Sequence, residues 1–220
     1  MFEKFMEFWK TSDLMSIVYK EVEEMLKISH EMFVDAIKIL LENVKMDEQK
    51  TIYDKDRKLN YMQIDVRKKT LEHLTISPAQ DVIPSLIIIT IVVDVERIGD
   101  YAKNLVELGH KYPEQLDNDY AERIKALQAR VEKNFQNTIR AYSTGDKELG
   151  RRVMESHAQL AKECEKLVED LIEDSSIGAR LGIIFALLAR FLKRVDAHLK
   201  NVASSVVNPF HRLGYKPQED

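Results

Sequence analysis

The sequence predicts an all-α protein of six long helices, arranged as two tandem three-helix bundle repeats. Three observations carry that expectation. Helix breakers are scarce, with seven Gly and five Pro in 220 residues, while Leu, Ala, Glu, Lys and Ile, all compatible with helix, are abundant. Apolar residues recur at three- and four-residue spacing, and no long stretch alternates with period two. Finally, one helix occurs twice. IVVDVERIGDYAKNLVEL and LLARFLKRVDAHLKNVASS superpose with Arg194 on Arg97, Val195 on Ile98, Asn201 on Asn104 and Val202 on Leu105. Each pairs an apolar run with an Arg and, seven residues or two turns later, an Asn.

The elements follow in order. Residues 1–12 (MFEKFMEFWKTS) read as a short amphipathic segment with Phe2, Phe5, Met6, Phe8 and Trp9, suited to packing on the domain or on a sister subunit in a homodimer. Glu3 and Glu7 argue against a membrane-holding face. Ser12 or Asp13 can cap a first helix from Leu14 to about Val44, with Val18, Val22, Met25, Leu26, Phe33 and Ile37 on its apolar stripe. Lys45–Lys50 is the expected turn, and a second helix runs to about Leu74. Ser77-Pro78, a capping hydroxyl followed by Pro, should start the third helix, which ends near Gly109 or His110. Tyr112-Pro113 and LDND separate the repeats, placing the first at 13–111 and the second at 117–208. Asp119 can cap the fourth helix, to Tyr142, and Asp146 the fifth, to about Ile172. The sixth runs from about Ile177 to Val207, and residues 209–220 form a tail broken at Pro209.

Composition narrows the function. A net charge of −4 with 32% charged residues does not suggest a nucleic-acid binder. Cys164 is the sole cysteine, which excludes an internal disulfide and fits a core residue in a reducing compartment. The first ten residues lack the apolar core of a secretory signal. The apolar run Val82–Val93 is twelve residues long, too short to span a bilayer, and Arg190 interrupts Leu181–Leu192. The expected location is therefore the cytoplasm, with no transmembrane segment. No P-loop, dinucleotide fingerprint or hydrolase triad is present.

Candidate chemistry lies on the duplicated helix. Glu96 and Asp100, four residues apart, share one face, and Asn104 continues it. Carboxylates in that relation repel by roughly 0.2–0.5 kcal/mol when exposed, so a cation must offset them. A metal ion can do so, and so can Arg57, Arg97 and Lys103 in a salt-bridge network. On the second helix Asp56 and Asn60 also stand four apart. DVERIGDYAKN resembles the signature of the PhoU family of phosphate-uptake regulators, approximately E-R-I-G-D-H/x-A-x-N, and DRKLN resembles that family's D-x-x-I-N. The resemblance implies a PhoU-like fold and a metal site built from Glu96, Asp100, Asp56 and Asn60. The metal would be iron, Mn, Mg or Zn, since carboxylate and amide oxygens are hard ligands that suit the first three and zinc less selectively. It also implies a regulator, not an enzyme, that works at the inner face of the membrane. Its partners would be a membrane phosphate transporter, of the ABC type or a sodium-phosphate cotransporter, and a sensor kinase.

The second copy departs from the pattern. Lys193 and Ala197 replace the Glu and Asp, Asp196 takes the Gly position, and His157 and Ala161 stand where Asp56 and Asn60 would be. One metal site is therefore expected rather than two, with Lys193, His198 and Asn201 forming a mildly basic polar face. The alternative function is a di-metal carboxylate enzyme in a helical bundle, for which only Glu107 and His110 show the required spacing.

Overall fold

The computed structural model describes residues 2–42, 47–76, 81–112 and 114–216, with side chains described for these except 2–13, 42 and 47–50. Among these residues there are six α-helices: α1 (Phe2–Glu42), α2 (Asp47–Ile76), α3 (Val82–Lys111), α4 (Asp119–Thr144), α5 (Lys147–Glu173) and α6 (Ala179–Val207). A 3₁₀ turn over Phe210–Arg212 follows, and no strand occurs among the described residues. α1, α2 and α3 pack as one antiparallel unit and α4, α5 and α6 as another, joined chiefly along α3 and α6.

Each helix is explained by its sequence, with some revisions. α1 runs unbroken from Phe2, so Ser12 and Asp13 lie inside the helix and not at its start. α2 is already helical at Asp47, inside the expected turn. Ser77 and Pro78 lie outside the described residues. At the start of α3, Asp81 makes no side-chain cap; its carboxylate lies 2.9 Å from Nε2 of His73. α4 is capped by Asn118 and not by Asp119: the Asn118 side chain accepts from the Ala121 amide at 3.0 Å. Asp119 becomes the first helical residue, where its charge suits the helix N-terminus. Asp146 caps α5 as expected, accepting from the Leu149 amide at 3.0 Å.

Gly109 does not end α3. The helix continues to Lys111, and a Cβ on Gly109 would stand 3.2 Å from the Leu40 backbone, so the glycine admits α1 closely. The described part of the tail, through residue 216, is held by polar contacts. Asn208 Nδ2 donates to the carbonyls of Arg212 at 3.0 Å and Tyr215 at 2.8 Å. The Gly214 amide donates to Ser204 Oγ at 2.8 Å, and Lys200 Nζ to the Gly214 carbonyl at 2.7 Å. This folds the chain back on α6.

The inner parts of the two apolar runs sit centrally. Ile88, Ile91, Val92, Phe185 and Leu188 are buried in one core shared by both units, each contributing roughly 1.5–3 kcal/mol. The outer ends of the runs do not: Val82, Ile83 and Leu86 near the start of α3, and Ile183 near the start of α6, are exposed. α3 and α6 run antiparallel: Asp94 meets His198 and Asn201, Tyr101 meets Phe191, and Arg180 donates to the carbonyl of Lys111. Since α3 and α6 are the equivalent helices of the two units, their antiparallel meeting relates the units by an approximate two-fold. Ile98 and Val195 are fully buried in equivalent places, as are Leu105 and Val202.

Candidate functional site

In the first unit the antiparallel packing of α2 on α3 brings Asp56 beside Asp100. Between them stands Lys103, one turn beyond Asp100, its Nζ 2.9 Å from Asp56 Oδ1 and 2.9 Å from Asp100 Oδ1. Asn60 Nδ2 donates to the other Asp56 oxygen at 3.3 Å. Arg97 lies 3.5 Å from Asp100 and 3.9 Å from Glu96. The four residues singled out from sequence therefore share a neighbourhood, and its counter-charges come from the chain itself.

Electrostatics follows from this arrangement. Burial, then the Asp100 charge, raise the Glu96 carboxyl above the usual glutamate range against the pull of Arg97. Burial alone would lower the Lys103 ammonium, but its contacts with Asp100 and Asp56 outweigh that and hold it above the usual lysine value. A divalent ion needs several oxygens free to converge. Here an ammonium fills the space between the two carboxylates, and an ion at that point would press against it. Among the described residues no three His, Cys, Asp or Glu side chains converge in a metal-holding group. As placed, these residues do not fit a metal.

In the second unit the exchange at the glycine position decides the chemistry. A Cβ on Gly99 would lie 2.8 Å from Leu59 Cδ1, so the first unit packs hydrocarbon there. The equivalent Asp196 is fully buried. Asn134 of α4 donates to its Oδ1 at 2.8 Å, and Nδ1 of His157 on α5 lies 2.9 Å from its Oδ2. One carboxylate thus ties three helices, which satisfies the rule that buried charge must be partnered.

The expected basic face of Lys193, His198 and Asn201 does not form. Lys193 turns outward to Glu165. His198 and Asn201 turn to the other unit, Nδ1 of His198 lying 2.7 Å from Asp94 Oδ1 and Asn201 Nδ2 donating to it at 2.9 Å. His30, half-buried on α1, likewise crosses between units, its Nε2 2.6 Å from Glu132 on α4. Glu107 and His110 are both exposed at the end of α3, so the di-metal alternative has no inward-facing pair there. Cys164 is 2% exposed, and burial pushes its thiol up to about 12, leaving no thiolate nucleophile near neutrality. Asp94, Asn134 and the Asp196–His157 pairing escaped the sequence reading. The available signal was an aspartate inside each apolar helix, which can be buried only with partners.

Comparison with known proteins is consistent with this architecture. The model of the PhoU domain matches residues 22–109 and again 124–206, one match per unit. A relative from Thermotoga maritima, named as phosphate-specific transport system accessory protein PhoU homolog 1, is 24% identical over 201 residues, covering 88% of this chain and 85% of its own. A PhoU homolog from Xylella fastidiosa is 27% identical over 119 residues, 52% of this chain and 50% of its own. The crystal structure of the phosphate transport system regulatory protein PhoU from Streptococcus pneumoniae superposes with a TM-score of 0.79 at 14% identity, covering 89% of this chain and 94% of that one. PhoU from Pseudomonas aeruginosa gives 0.69 at 20% identity, covering 91% and 95%.

Proposed function

The chain belongs to the PhoU family, and on that premise we propose that it regulates phosphate transport by binding a membrane phosphate transporter at its inner face, without catalysing a reaction. A sensor kinase is the second partner in this reading. The observation that carries it is the double match to the family domain, one copy per three-helix unit, over a chain that shares most of its length with a named accessory protein. The fold supports it as well. Its polar clusters are used internally, tying helix to helix, and the outer faces are left for contact. No helix among the described residues is long and apolar enough to cross a membrane, so attachment to a transporter would come through surface contact. A metal ion has no part in this reading, because Lys103 already bridges Asp56 and Asp100.

The test pairs association with uptake. The tagged chain should co-purify with the phosphate transporter of its host from solubilised membranes. Deleting its gene should change the rate of labelled phosphate uptake, and restoring the gene should correct it. Unchanged uptake together with no association would sink the proposal.

A further inference from the structure

The seams between the first and second helices of the two units differ in a way that the regulatory reading does not use. Along α1 and α2, charges are paired across the seam: Lys58 with Glu24 at 2.6 Å, Lys55 with Asp35 at 2.8 Å, and Lys69 with Glu21. Along α4 and α5 such pairing is confined to one end, where Arg123 meets Asp170 and Arg130 meets Glu163. Beyond Arg130 the seam opens into a groove of about 360 Å³. Its walls carry Arg130, Lys133 and Asn137 from α4 and Arg152, Ser156 and Gln159 from α5. Asn134, 3% exposed, also lines it and is held in place by its bond to Asp196.

The lining contains three cations and no carboxylate. The cross-seam and local pairs of α4 and α5 engage other side chains, and among the described residues neither Lys133 nor Arg152 has an acidic partner. Two cations left unpaired across a groove, beside amide and hydroxyl donors, match the demands of a tetrahedral oxyanion, which accepts many hydrogen bonds and offers few. The volume suits a small molecule. We propose that this α4–α5 groove binds a small ligand through a phosphoryl group, with Lys133 and Arg152 clasping it from opposite walls. Inorganic phosphate and a nucleoside phosphate share that chemistry.

Calorimetric titration of the full chain with inorganic phosphate, AMP, ATP and sulfate tests this. Wild type should bind phosphate or a nucleotide, and whichever binds identifies the source. The double variant Lys133→Gln/Arg152→Gln should weaken that binding by roughly tenfold or more, as expected when charge-assisted contacts are lost. Arg151→Gln, an exposed neighbour paired with Glu148 and outside the lining, should bind as wild type does. Lys133, Arg151 and Arg152 are all exposed, so circular dichroism should show unchanged helix content in both variants. The proposal is overturned if wild type binds none of the phosphates, if the double variant binds as well as wild type, or if sulfate binds as tightly as the best phosphate.

Discussion

Gly99 and Asp196 occupy the same place in the two units and solve opposite problems. In the first, the missing side chain lets Leu59 and Met32 close on α3. In the second, a carboxylate fills the space and draws in Asn134 and His157. One unit is held there by hydrocarbon contact and the other by a buried polar knot. The lesson is that duplicated helices keep their packing direction while the chemistry at that point is free to diverge, provided the neighbours change with it.

Exchanging the two residues should break this relation most severely. Gly99→Asp would press a carboxylate against the side chains of Leu59 and Met32, which donate no hydrogen bond. A loss of about 3–5 kcal/mol is expected, typical of an uncompensated buried charge. Asp196→Ala leaves Asn134 and His157 facing an empty carboxylate position and should cost about 1–3 kcal/mol. Urea unfolding measures both. If Gly99→Asp proves the milder change, the two sites are not built on different principles.

A smaller effect is expected at the Asp56–Lys103–Asp100 bridge. Lys103→Gln removes the ammonium between two carboxylates and should cost about 1 kcal/mol, since the group is only partly buried. It also opens the space that excluded a divalent ion. Calorimetry with Mn, Mg, Zn and ferrous iron should show binding to this variant and none to wild type. Wild-type binding that disappears in Asp100→Asn would show that the lysine yields to metal.

The smallest effect is at Glu96, whose ionised form is disfavoured by burial and by Asp100. Glu96→Gln should stabilise the protein at neutral pH by a few tenths of a kcal/mol, the size of a like-charge pair one turn apart. The sign with pH follows from the raised carboxyl. The folded state holds the Glu96 proton more tightly than the unfolded chain, so wild type recovers this loss as pH falls through the raised value. The gap between variant and wild type should therefore vanish below the ordinary glutamate range, near pH 4. A gap that widens on acidification would contradict the assignment.

Much of the fold was legible because helical periodicity and the repeated Arg-to-Asn spacing are local signals. The Asn118 cap was missed because Asp119, its neighbour, has an equally good capping side chain, and only backbone geometry separates them. At the site, spacing correctly placed Glu96 and Asp100 on one side of α3, and the antiparallel unit brought Asp56 to Asp100. Residue types alone left metal and lysine both open as the compensating cation, and the reach of Lys103 across to α2 became visible only in three dimensions. Asp196 was harder still. It lies about 100° from the face that carries Ala197, but α6 packs against α3, α4 and α5. On a helix so enclosed, turning away from one neighbour means facing another, not water.

The seam between α3 and α6 carries a lock-and-key asymmetry. Superposing the units places Asp94 on Phe191 and Tyr101 on His198. One end of the seam therefore joins Asp94 to His198 at 2.7 Å, and the mirrored end joins Phe191 to Tyr101 with ring centroids 6.0 Å apart. Were α3 to meet the α3 of another molecule in the same antiparallel fashion, each Asp94 would face a tyrosine. Were α6 to meet α6, each His198 would face a phenylalanine. Two helices of common ancestry thus meet through unlike pairs, a carboxylate with an imidazole at one end of the seam and ring with ring at the other.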